Sequence, residues 1–300
     1  MMSSKVTSES VTLPAVSIPE VDGVADKHEL PVVVIDGSAN WKRWWADLYL
    51  YRGALQSLMR RNVRSRYKQA VLGMTWAVIQ PAVQVVVFTV LFGRLAKVPS
   101  DGVPYPLFAL AGLLPWNLFS KVISEASAAL VTNQNLITKL FFPRIYLVLA
   151  AGASALLDAV VTLILLGMLM AFYGHAPGGM IWLALPVLIG IVVFSYGFGS
   201  LLAAVNARWR DVQHTIPFAL QVGLFVTPVI YRYSFVPEKW QWILALNPLT
   251  GLIELFRGAV LGLPFPESPV LAISLTISAL LTVVGVWQFT RMEASIVDVV

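Results

Sequence analysis

The 300-residue sequence is 58% hydrophobic and only 12% charged, which excludes an ordinary soluble domain and marks a membrane protein. It contains no cysteine, so structural disulfides, thiolate metal sites and cysteine nucleophiles are excluded as well. Lysine and arginine outnumber the acids 21 to 16, a formal net charge of +5, and the placement of those cations carries the orientation of the chain.

The first 40 residues are rich in Ser, Val, Pro, Asp and Glu, with neither a helical period nor the apolar core of a signal peptide. A disordered cytoplasmic tail is expected over 1–40. From Trp41 the pattern changes. Trp41, Trp44, Leu48, Tyr51, Leu55 and Leu58 recur at spacings of three and four, while Lys42, Arg43, Asp47, Arg52, Gln56, Arg60 and Arg61 fall largely off that face. Residues 41–68 are therefore predicted to form an amphipathic interfacial helix that ends in the basic cluster RRNVRSRYK. Such a helix is either a plain membrane anchor or a docking element for a cytoplasmic partner.

The remainder, 69–300, is predicted to be an all-α transmembrane domain of six helices. At about 20 apolar residues per span, they lie near 72–93, 107–131, 145–172, 181–205, 212–231 and 269–290. Cationic loops stay in the cytoplasm. With 42–68 inside, the same side collects Lys139, Arg144, Arg208, Arg210 and Arg291, whereas the other keeps Arg94, Lys97, Arg232, Lys239 and Arg257. Both termini are thus expected to be cytoplasmic. Trp76, Trp209 and Trp287 fall near inner ends and Trp116, Trp182, Trp240 and Trp242 near outer ends, as an interfacial aromatic belt requires.

Within the second span Lys121 and Glu125 are four residues apart, share a helix face and are expected to neutralise one another. Asp158 stands alone in the third. An ion-coupled secondary transporter would use these three groups. Between the second and third spans, the turn 132–143 contains NQNLITKLFFP and is followed by Arg144. Leu136, Ile137, Leu140, Phe141 and Phe142 make it too apolar for a solvated loop, so it is either an interface patch or, with Pro143, the start of the next helix. Between Arg232 and Glu267 two short apolar pieces, VPEKWQWILAL and PLTGLIELFRGAVLG, are broken at Asn247 and Pro248. They read as a re-entrant pair at the outer mouth of a pathway or as a hairpin lying on the outer leaflet.

The enzyme signatures are missing from the sequence: there is no G-x-x-x-x-G-K-[ST], no H-E-x-x-H and no G-x-S-x-G. His28, His175 and His214 fall on different sides of the membrane. A membrane-embedded glycosyltransferase or a passive scaffold is disfavoured, because no acidic metal-binding pair sits at a membrane surface.

Several long blocks together carry a resemblance: RSRYKQAVLGMTWAVIQPAVQVVVFTVLFGRLAKVPSDGVPYPLFALAGLLPWNLFS, NLITKLFFPR, NARWRDVQH, PVIY and LNPLTGLIELFRGAVLG. Over residues 40–300 the chain resembles the membrane subunits of polysaccharide ABC exporters, the permeases that move lipid-linked O-antigen, capsule or teichoic acid polymers across the bacterial inner membrane. The resemblance implies a homodimer of six-helix subunits around a channel, with two separate ATPase subunits docked below. ATP and magnesium would then belong to that partner, with no cofactor in this chain, and nucleic acid is not among the implied partners.

Site roles follow from the same resemblance. Leu136, Ile137, Lys139, Phe141, Phe142 and Arg144, with Arg60 and Arg61, would form the ATPase-coupling interface. Arg64, Arg66, Tyr67 and Lys68 would receive the anionic lipid headgroup, since juxtamembrane cations attract anionic groups at about 1 kcal/mol each. Asn247, Pro248, Glu254 and Arg257 would belong to an outer gate. Pyranose rings have flat apolar faces, so a sugar conduit calls for aromatic walls. Tyr105, Phe108, Trp116, Phe119, Phe225 and Tyr231, with Lys121 and Glu125, are the candidate lining, although ordinary membrane packing or the interfacial belt explains most of the aromatics equally well.

Overall fold

In membranes the backbone must satisfy its own hydrogen bonds, so long apolar runs become helices. The computed structural model describes residues 49–68, 75–139, 142–209 and 211–293, all within one compact unit, and every regular element among them is helical. The expected tail 1–40, Trp41, Trp44, Leu48, Leu140, Phe141 and Arg210 lie outside the described residues, as does the side chain of Lys68.

The first described helix, α1, runs Arg52–Lys68. Next comes α2, Trp76–Phe88, which continues as a π-helical segment Thr89–Leu95 to give a 20-residue apolar rod. A 28-residue helix, α3, spans Tyr105–Thr132, and the six-residue α4, Gln134–Lys139, follows it directly. The third expected span is two helices, α5 (Ile145–Ala151) and α6 (Ala153–Tyr173), meeting at Gly152. A Cβ at Gly152 would lie 2.8 Å from the Tyr196 hydroxyl, so only glycine lets this elbow sit so close to its neighbour. α6 ends where Gly174 takes a left-handed φ of 65°. α7 covers Ala184–Arg208 and α8 Val212–Val226. Then come α9 (Glu238–Ala245), α10 (Pro248–Leu261) and the 26-residue α11, Ser268–Glu293.

Burial sorts these helices. In α3, 78% of the most apolar window is buried, against 17% for the Trp76–Leu95 rod and 22% for α11, so α3 is the central pillar and the others present a face to lipid. Gly197 and Gly285 bring α7 and α11 into backbone contact: a Cβ at Gly197 would fall 2.6 Å from the Thr282 Cα.

One boundary changes here. Among the described residues five helices are long and apolar enough to cross a membrane, or six with the bent pair α9 and α10 counted as one span. The expected fifth span, 212–231, is helical only to Val226, 15 residues or about 22 Å at 1.5 Å per residue, and goes on to Tyr231 as non-helical chain. The physical reason lies at Thr227–Tyr231, where the chain leaves the helix and its carbonyls find other donors. The Asn247–Pro248 break is as expected. Asn247 caps α10 by accepting from the Leu249 N–H at 3.0 Å, and Pro248 occupies the first turn, where its missing N–H costs nothing. The helices on either side are bent by 101°. Nearly every residue of α10 is buried, packed against α3, α7 and α11, whereas α9 exposes Trp240, Trp242 and Ile243.

Candidate functional site

Three places bring the polar residues together, and the first lies at the end of the spans that the distribution of lysine and arginine predicts to be the inner one. Asn117 donates to Gln84 at 2.9 Å and Lys121 to Gln80 at 3.2 Å, which sets α2 antiparallel to α3 and puts Trp76, the first residue of α2, roughly level with Glu125. Around that level four elements converge. Arg66 of α1 ion-pairs with Glu125 of α3, donates to Ser154 Oγ of α6 at 2.9 Å and reaches Asp158 of α6 at 3.2 Å. Lys121 Nζ sits 3.0 Å from the same Asp158, and the Tyr67 hydroxyl donates to it at 2.6 Å. Ser154 Oγ lies 3.0 and 2.9 Å from the two Glu125 oxygens. Two cations and two carboxylates therefore neutralise one another.

This corrects two expectations. Lys121 and Glu125 do not pair with each other, because α6 offers Lys121 a closer counter-charge and α1 offers one to Glu125. Asp158 is not alone: three donors converge on a nearly buried carboxylate that would otherwise cost several kcal/mol. Burial, the hydrogen bond to Asp158 and that carboxylate's charge push the Tyr67 hydroxyl up to about 12, so Tyr67 acts as a neutral donor. Arg66 and Tyr67 are thus engaged within the protein, whereas Arg64 is exposed.

The second place is the turn after α3. Ile137 is buried beside Ile145, Tyr146 and Leu147, and Leu136 and Phe142 pack against the same cluster together with Tyr51, just before α1, and Leu55 and Leu58 of α1. So among the described residues Leu136, Ile137 and Phe142 pack into this cluster rather than standing out as a patch, and the described apolar face of α1 packs against it as well. What the turn exposes is Asn135, Thr138 and Lys139, with Arg60 and Arg61 exposed nearby on α1. Arg61 donates to Asn133 at 2.8 Å, tying α1 to the turn. Arg144 holds the end of α11: its backbone N–H donates to Glu293 Oε1 at 2.7 Å and its guanidinium to the Glu293 carbonyl.

The third place is the α9–α10 hairpin, at the end expected to be the outer one. Arg257 of α10 is fully buried and lies over the Phe108 ring at 4.0 Å. It donates to the carbonyls of Val229 at 2.6 Å and Pro228 at 3.3 Å, and to Glu254 at 3.1 Å. Glu254, also buried, accepts from the Tyr233 N–H at 3.0 Å and faces Arg232 Nε at 3.4 Å. Arg232 in turn pairs with Asp101 and donates to the Pro264 carbonyl at 3.0 Å, while the Tyr105 hydroxyl donates to Ile230 O at 2.9 Å. These side chains replace the helical hydrogen bonds that the segment 227–231 gave up. Gly112 makes room for them, since a Cβ there would strike both the Arg257 guanidinium and the Val229 carbonyl.

Of the aromatics expected in a lining, Tyr105, Phe108, Trp116 and Phe119 are buried inside the protomer, and Phe119 stacks on Phe194 at 5.4 Å. They are packing residues here. Phe225 is exposed, and Tyr231 is half-buried with its hydroxyl 3.1 Å from the Val226 carbonyl. Asp101, Arg232 and Gly112 were not singled out from sequence, and no local signal links them to Arg257.

The sequence matches the family of ABC-2 type transporters over residues 53–261. It is 31% identical over 253 residues to the O-antigen export system permease protein RfbA of Myxococcus xanthus, covering 83% of this chain and 94% of that protein. The RfbA protein of the same description from Klebsiella pneumoniae is 26% identical over 245 residues, 79% and 90% of the two chains. The polysialic acid transport protein KpsM of Escherichia coli is 25% identical over 208 residues, 69% and 81%. This chain belongs to the ABC-2 type transporter family, as a multi-pass membrane permease.

Proposed function

We propose that the chain is the membrane-spanning subunit of an ATP-driven exporter that moves a lipid-linked polysaccharide of O-antigen or capsule type across the bacterial inner membrane. The observation that carries this reading is similarity to O-antigen and polysialic acid transport proteins over most of both lengths. A separate ATPase binds ATP and Mg²⁺ below two copies of this chain, and both termini are cytoplasmic. The re-entrant hairpin closes the outer end and the segment around α4 meets the ATPase. Its contact surface consists of Lys139, Arg60, Arg61 and their exposed polar neighbours. The intramembrane acids argue against ion coupling: Glu125 and Asp158 each have a cation and a hydroxyl donor already in place.

Deletion of the gene tests this. Polymer should vanish from the cell surface and accumulate inside on its lipid carrier, and the wild-type gene should restore it. Normal surface polymer in the deletion strain would sink the reading.

A further inference from the structure

Beside the inner cluster the protein surface opens into a recess of about 380 Å³. Three parts of the fold wall it: Asn62, Ser65 and Arg66 of α1, Glu125 of α3, and Ala151 and Ser154 on either side of the Gly152 elbow. Its volume falls in the range of small-ligand sites, about 300–1,000 Å³. Apart from Ala151, every lining side chain is polar, and together they offer an amide, two hydroxyls, a guanidinium and a carboxylate.

Charge decides what fits. Arg66 is the only cation in the wall, and Glu125 cancels it by direct ion pairing. Beyond the wall, Lys121 is turned to Asp158 and Gln80, and Arg61 is engaged with Asn62 and Asn133. A phosphate entering the recess would meet Glu125 together with Arg66 and gain no net attraction from that pair. An uncharged polyhydroxyl group gains from both. The carboxylate has lone pairs beyond those that Arg66 and Ser154 occupy, the guanidinium carries five N–H donors, and charge-assisted hydrogen bonds are about twice as strong as neutral ones. The recess also sits level with Trp76, at the inner end of the spans, where the head of a membrane-borne substrate would arrive.

We propose that this recess binds one uncharged sugar residue of the exported polymer, with Glu125 accepting from its hydroxyls and Arg66 and Asn62 completing the set. The inference rests on the polysaccharide-export reading and narrows it: the contact is to the glycan, not to the phosphate of its carrier.

Because the sequence has no cysteine, Ser65→Cys places a single reporter in the recess and Thr138→Cys a control on the exposed face of α4. The full chain in phospholipid nanodiscs is labelled with a maleimide in the presence of carrier-free polysaccharide released by mild acid from the source cells, or of sodium pyrophosphate. At about ten times a millimolar dissociation constant the site is roughly 90% filled, so Ser65→Cys should react about tenfold more slowly with the polysaccharide. Thr138→Cys should not change, and pyrophosphate should protect neither. Glu125→Gln in the Ser65→Cys background should abolish the protection. Ala151→Leu, which fills the recess and leaves each ion pair in place, should do so independently. Protection by pyrophosphate alone would overturn the proposal in favour of an anion site. Protection by neither ligand would overturn it outright, and if polymer export still depends on the chain, the export reading survives that loss.

Discussion

The inner and outer ionic clusters use the same residue types for different physical ends. At the inner cluster Arg66, Lys121, Glu125 and Asp158 join side chain to side chain between helices, and the cluster is partly open at the protomer surface: the Arg66 and Glu125 side chains are 36% and 27% exposed. At the outer cluster the exposures of Arg257 and Glu254 are 0% and 2%, and Arg257 spends its donors on backbone carbonyls. One cluster positions helices; the other substitutes for helix. A charge removed where water can enter is partly compensated, whereas a carbonyl stranded at membrane depth is not.

That contrast orders the expected effects of substitution. The largest should be Arg257→Met, which strands the Pro228 and Val229 carbonyls and weakens the pairing of Glu254, at about 3–5 kcal/mol. Loss of monodisperse protein in detergent, or a collapsed melting temperature, would show it; a near-wild-type melting curve would mean that the hairpin does not depend on this cation. Gly112→Ala attacks the same place by volume. Its methyl group meets the Arg257 guanidinium and the Val229 carbonyl, and forcing them apart should cost about 1–3 kcal/mol.

Inner-cluster changes should be milder and should reveal who pairs with whom. Lys121→Met combined with Asp158→Asn is expected to be less damaging than the two single changes summed, with a coupling of about 0.5–3 kcal/mol. Lys121→Met with Glu125→Gln should show less coupling, because those two charges have different partners. The reverse ranking, measured by thermal unfolding of the three single variants, the two double variants and the wild type, would restore the pairing expected from helix spacing. Smallest of all, Arg61→Ala breaks the exposed bonds to Asn133 and Asn62 and should shift stability by less than about 1 kcal/mol.

What could be read from the sequence was what depends on nearest neighbours along the chain. Composition and apolar runs located the long spans, and Asn247–Pro248 announced a helix start because cap and first-turn proline act within three residues. The end of α8 could not be read in the same way. It is set by Arg257, whose targets lie 28 and 29 residues away, and by Tyr105, 125 residues from Ile230. Spacing suggested Lys121 with Glu125 because an i,i+4 rule sees one helix, while the deciding charges, Arg66 and Asp158, arrive on α1 and α6. The apolar turn posed the same difficulty. Leu136 and Ile137 looked like an outward patch until α1 and α5 supplied the cluster that covers them. Phe108 and Trp116 were legible as aromatics but not as packing residues, since nothing local records that α3 is surrounded.

Export itself is tested most directly in inverted membrane vesicles that contain this chain and its ATPase, loaded with the lipid-linked polymer on the cytoplasmic leaflet. ATP is supplied and the proton gradient is collapsed with an ionophore. Polymer should pass to the vesicle interior under these conditions and stop when ATP is replaced by a non-hydrolysable analogue. Transport that stops with the gradient yet continues without ATP hydrolysis would contradict the assignment and make Glu125 and Asp158 the groups to re-examine.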